Sequence, residues 1–157
     1  MSNLWRGASL AATLLVGSQS GAIAGAAEPV RACPTVEIAT LASAGEVGAR
    51  PIPGPDGAVD VRHSLITTGD IRLASPAVAD GQPVLILNFK PAAAGAFRAY
   101  TAAHVGDSIV FIVDGKVVKV ARIFEPIVGD GIQVGPLTAD DAKPLATALN
   151  RCASAAR

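Results

Sequence analysis

Two Asp-Gly dipeptides constrain the fold more than any other feature of the chain. Asp80-Gly81 and Asp114-Gly115 each stand between β-rich apolar runs, and this dipeptide accepts the positive φ that both central positions of a two-residue hairpin turn require. Ile71 to Val78 is therefore expected to pair with Val84 to Phe89, and Ser108 to Val113 with Lys116 to Glu125. Ser108 to Val113 is a nearly unbroken β-branched run, which suits a strand placed centrally in a sheet. In the returning strand the apolar positions are Val118 and Val120, then Ala121 and Ile123. That change of parity predicts a β-bulge near Val120 and Ala121.

Between the hairpins the period changes. Pro91 suits a first helical turn, where its missing N–H costs nothing, and Ala93, Phe97, Tyr100 and His104 follow at helical spacing, with Gly106 as the stop. Thr138 with Asp141 opens a second helix in the manner of a capping box; it runs to about Asn150 with Leu145 and Leu149 inward and Pro144 distorting its second turn. Ile132 to Val134 is expected as a short edge strand. Upstream, residues 35–41 form a short strand, and Val59, Val61 and Leu65 mark a half-buried one. Ser43 to Asp60 holds Gly45, Gly48, Gly54 and Gly57 with Pro51, Pro53 and Pro55, a density that reads as a turn-rich loop. The element order predicts an α+β fold: a mainly antiparallel β-sheet with two helices packed on one face.

The N-terminus carries one charge at Arg6, an apolar run from Ala8 to Val16 and a small-residue stretch to Ala27. This is the pattern of a secretory signal peptide over residues 1–26; the competing reading, a membrane span, falls short of the roughly 20 apolar residues a bilayer requires. Residues 27–59 are read as an N-terminal extension with the Gly/Pro loop, and 60–152 as the folded domain. Export to the periplasm makes Cys33 and Cys152 candidate disulfide partners. A lipid anchor at Cys33 is the alternative, and Arg31 and the distance from the apolar run weigh against it.

Thirteen Lys+Arg against thirteen Asp+Glu leave no net charge, which removes the electrostatic footprint of a nucleic-acid binder. The apolar fraction is 50%, so the chain folds. Chemistry-bearing motifs are scarce. His63 and His104 have no companion Cys or carboxylate at metal-ligand spacing, Gly115-Lys116 lacks the remainder of a phosphate loop, and Asp140-Asp141 at a helix start reads as a cap. There is no Cys-x-x-Cys and no nucleophile elbow. No catalytic role, metal or cofactor is expected. Lys116, Lys119 and Arg122 form a basic stripe beside a strand edge, whose plainer role is to discourage edge-to-edge aggregation.

Several short elements in order resemble a known family. Gly81-Gln82-Pro83-Val84, Asn88-Phe89, Gly95-Ala96-Phe97, Thr101, Val105-Gly106, Ile112 through Val117, Glu125-Pro126-Ile127, Leu137-Thr138, Asp141-Ala142 and Leu145-Ala146 resemble the head subdomain of the first periplasmic domain of SecD/SecDF. The resemblance covers about Ile71 to Arg151. It implies a free-standing, secreted head module connected with protein translocation, whose partners are extended or unfolded exported polypeptide and Sec translocon components. The proton-driven motor of that family needs membrane helices that this chain does not have, so the motor function is not implied. Where the family carries a Ser-Ala-Pro-like stretch, this chain has Lys119-Val120-Ala121-Arg122. Strand addition at a sheet edge is one mode of contact, with Phe89, Lys119, Arg122, Ile123 and Phe124 as candidate partner-binding residues. The alternative is a structural or assembly module that binds a particular folded envelope protein or itself.

Overall fold

The computed structural model describes residues 32–155. The expected signal peptide lies outside them. Among the described residues no helix is long and apolar enough to cross a membrane.

Among the described residues eight strands and two α-helices follow in the order β1 (Val36–Leu41), β2 (Arg50–Gly54), β3 (Gly57–Thr67), β4 (Ile71–Ala79), β5 (Gln82–Phe89), α1 (Pro91–Ala103), β6 (Ser108–Val113), β7 (Lys116–Arg122), β8 (Gly131–Val134) and α2 (Ala139–Ala155), with a 3-10 turn at Thr68–Asp70. All strand pairings are antiparallel, and the fold is α+β. The strands divide into two sheets instead of one: a five-stranded sheet in the order β2-β3-β1-β6-β7 and a three-stranded sheet in the order β4-β5-β8.

Both Asp-Gly dipeptides form the tight turns their chemistry favours, with φ of 51° and 74° at Asp80 and Gly81 and 49° and 73° at Asp114 and Gly115. β6 is buried on both faces. Its Ile109 and Phe111 face one core and its Val110 and Ile112 the other, as alternation along a central strand requires. The smaller core also takes Ala39, Ile52, Val61 and Val117, one side chain from each of the other four strands. The large sheet therefore curls, and β2 comes to lie against β7: a Cβ on Gly54 would stand 3.3 Å from that of Val117. The larger core lies between the two sheets. Phe89 and Phe97 meet there edge to face at 5.4 Å, and the apolar faces of both helices close it with Ala94, Ala146 and Leu149.

Four expectations are corrected. The Gly/Pro stretch is not all loop, because Arg50–Gly54 forms the edge strand β2. Pro51 and Pro53 are two residues apart, so both missing N–H groups fall on the open side of that strand, where proline costs the ladder nothing. The boundary drawn between residues 59 and 60 falls inside β3, and β1 is the middle strand of the large sheet. The bulge of β7 lies at Val118: Ile112 pairs with Val117 and Phe111 with Lys119. The core face of α1 is Ala94, Phe97 and Thr101, one position round from the face expected.

Candidate functional site

The three-stranded sheet covers only part of the five-stranded one. Beside the β8 edge an open groove of 470 Å³ remains. Its floor is one face of β6 and β7, with Ile109, Phe111, Lys119 and Ala121 pointing the same way because Phe111 is opposite Lys119 and Ile109 opposite Ala121. β8 forms one wall through Gly131 to Val134, and the segment from Ile123 to Ile127 closes an end.

That closing segment is held from below. Thr101 is fully buried; its hydroxyl donates to the Arg98 carbonyl at 3.1 Å and accepts the Ile127 N–H at 3.1 Å. Arg98 and Asp130 pair at 3.2 Å on the surface nearby. The result is a fixed loop that presents a large apolar side chain outward: Phe124 is 82% exposed. Such a side chain at the mouth of an apolar groove is a contact surface by composition and position.

Four of the five candidate partner-binding residues converge here. Lys119, Arg122, Ile123 and Phe124 all line the groove, Ile123 with its side chain buried in the core beneath. The fifth does not. Phe89 is 1% exposed, because the strand parity that sets Leu85 and Leu87 inward sets Phe89 inward too. Arg122 donates from Nε to the Gly106 carbonyl at 3.0 Å. Neither Lys119 nor Arg122 has a carboxylate within ion-pairing distance among the described residues, so their charge is available to a ligand, tempered by Glu125 on the same groove. The floor residues Ile109 and Phe111 and the β8 wall were not anticipated as site residues. The short strand was visible in the sequence, but its position across from β6 and β7 depends on how two sheets stack.

A second, more polar groove of 480 Å³ lies beside the start of β6. It brings together His63 and His104, far apart in sequence, with Arg62, Tyr100 and Asp107. The Tyr100 and His104 rings stack in parallel at 3.9 Å, and His104 Nδ1 is 2.9 Å from the Tyr100 carbonyl. Burial pushes the Tyr100 phenol above its ordinary value; Asp107 adds to the shift and Arg62 opposes it. Among the described residues no group of three or more His, Cys, Asp or Glu is placed to hold a metal ion.

Cys33 and Cys152 form a disulfide, with Cα atoms 5.9 Å apart.

Comparisons with known proteins agree on one family. The model of the SecDF P1 head subdomain matches residues 52–156. The SecD subunit of the protein translocase from Acidaminococcus fermentans is 39% identical over 93 residues, which is 57% of this chain and 22% of the relative. The SecD subunit from Rhodobacter capsulatus is 34% identical over 87 residues, or 54% of this chain and 16% of the relative. This chain thus spans about a fifth of the length of these relatives. Among solved structures, a membrane component SecDF that enhances protein export superposes with a TM-score of 0.61 at 19% identity, over 74% of this chain and 61% of that one. SecDF in a super-membrane-facing form gives the same TM-score, 0.61, over 18% of its own chain. These two likenesses concern the fold.

Proposed function

The chain belongs to the SecDF P1 head subdomain family, and from that premise we propose that it is a non-catalytic periplasmic module of protein translocation that binds extended polypeptide in the groove beside β8. The observation that carries this reading is the groove itself. It lies over the part of β7 at Lys119 and Ala121 that the small sheet leaves open, with the exposed Phe124 at its mouth, and it sits between a sheet edge and the unpaired cations Lys119 and Arg122. An extended chain offers what such a site can use: main-chain donors and acceptors for the edge, and alternate side chains for the floor.

Signal-directed export, contact with Sec translocon components and release of residues 1–26 complete the proposal. The experiment is a binding scan of the oxidised chain against extended peptides from exported proteins beside folded controls. Micromolar binding confined to the extended set, weakened several-fold by Lys119→Glu with Arg122→Glu, is the expected result. If no peptide binds and a stoichiometric folded envelope partner or a self-association is found instead, the module serves assembly, and the peptide reading is wrong.

A further inference from the structure

The main chain of β8 carries an inference beyond the presence of a groove, and it rests on the peptide-binding reading above. β8 pairs with β5 alone, with Leu85 opposite Val134 and Leu87 opposite Ile132. The Phe89 N–H donates to the Asp130 carbonyl at 2.8 Å, and this bond sets the parity of the ladder. Asp130, Ile132 and Val134 turn their main-chain groups toward β5, while Gly131 and Gln133 turn theirs away from it. Among the described residues no turn or loop hydrogen bond engages the N–H or C=O of Gln133, and the register turns both away from β5. Side-chain parity follows the same rule: Ile132 and Val134 pack on the larger core and Gln133 is exposed.

We propose that the groove receives one extended segment as a fourth strand of the small sheet, paired with β8 through Gly131 and Gln133. The new strand would lie over Lys119 and Ala121, the part of the β6–β7 face that the three-stranded sheet leaves open above the buried Ile109 and Phe111, with every second side chain laid toward Ala121. The occupant is thus an extended polypeptide of alternating apolar and polar residues. It carries a carboxylate within reach of Lys119 or Arg122, the two cations of the groove with no acidic partner among the described residues. β8 has only four residues, so the paired stretch is short, and specificity rests on parity and charge more than on length.

The test uses the intact chain with its disulfide formed and a probe peptide of alternating valine and threonine ending in aspartate. Two measurements are made: affinity after N-methylation of the peptide at each position in turn, and amide hydrogen exchange of the protein with and without peptide. A strand added to one edge predicts parity. N-methylation at the alternate residues facing β8 weakens binding on the order of tenfold, the loss expected for one or two main-chain hydrogen bonds, and N-methylation at the intervening residues leaves it within about twofold. The Gln133 amide is expected to exchange at least tenfold more slowly in the complex. Binding with no parity, or with an unchanged Gln133 amide, overturns the β8 assignment and leaves groove binding intact. Failure of the unmodified peptide and of the exported-protein set to bind overturns the reading on which the assignment rests.

Discussion

Tyr100 is the chain's only tyrosine, so its titration can be followed by phenolate absorbance without interference. Burial and the nearby Asp107 raise its pKa in the folded state, against the opposing Arg62. The folded chain therefore holds the phenolic proton more tightly than the unfolded chain. The stabilisation is complete below the ordinary tyrosine value of about 10 and is lost as pH climbs through the raised folded value. Absorbance should report a midpoint above that of a free tyrosine, and the fall in urea stability across the same alkaline window should flatten in Tyr100→Phe. Two phenylalanines show how far single residues can be read in advance. Phe89 and Phe124 each have an apolar residue within two positions before them and a charged residue directly after, yet one is 1% exposed and the other 82%. Strand parity places the first inward, while the second depends on Thr101 anchoring Ile127 from a helix 26 residues away, a contact no local pattern records.

At the scale of elements, what was legible is what is decided within a few residues. The Asp-Gly turns, the proline at the first turn of α1 and the β-branched run that forms the interior strand β6 each act locally, and each appears as expected. What was not legible is decided by distant contacts: the division into two sheets, the edge strand hidden in proline-rich sequence, and the groove those sheets leave between them. The tie between α2 and β4 belongs to the second kind. Asn150 accepts the Ala74 N–H at 2.8 Å and donates to the Ala74 carbonyl at 2.8 Å, so its amide stands in for a neighbouring strand at the open edge of β4. Replacing it by leucine keeps the branched heavy-atom shape but leaves two main-chain groups unpaired. Asn150→Leu is expected to cost about 1 to 3 kcal/mol in urea denaturation, whereas substitution at exposed Thr147, whose hydroxyl bonds only within its own helix, should change stability by about 0.5 kcal/mol or less.

For the molecule as a whole, the Cys33–Cys152 bridge closes a loop of 119 residues. Chain-entropy arguments assign about 4 to 5 kcal/mol to such a closure. Reduction should therefore lower the thermal midpoint substantially while leaving the far-ultraviolet spectrum of the folded state intact at low temperature, since neither core contains the sulfurs; an unchanged midpoint would show that the reduced chain is already constrained. The same bridge brings the two ends of the folded unit to one point, with Cα atoms 5.9 Å apart. A unit with this shape enters and leaves at a single address. It can hang from a much longer polypeptide as a side room hangs from a corridor, and the longer chain need bend nowhere to carry it. In the relatives the matched stretch is about a fifth of the sequence.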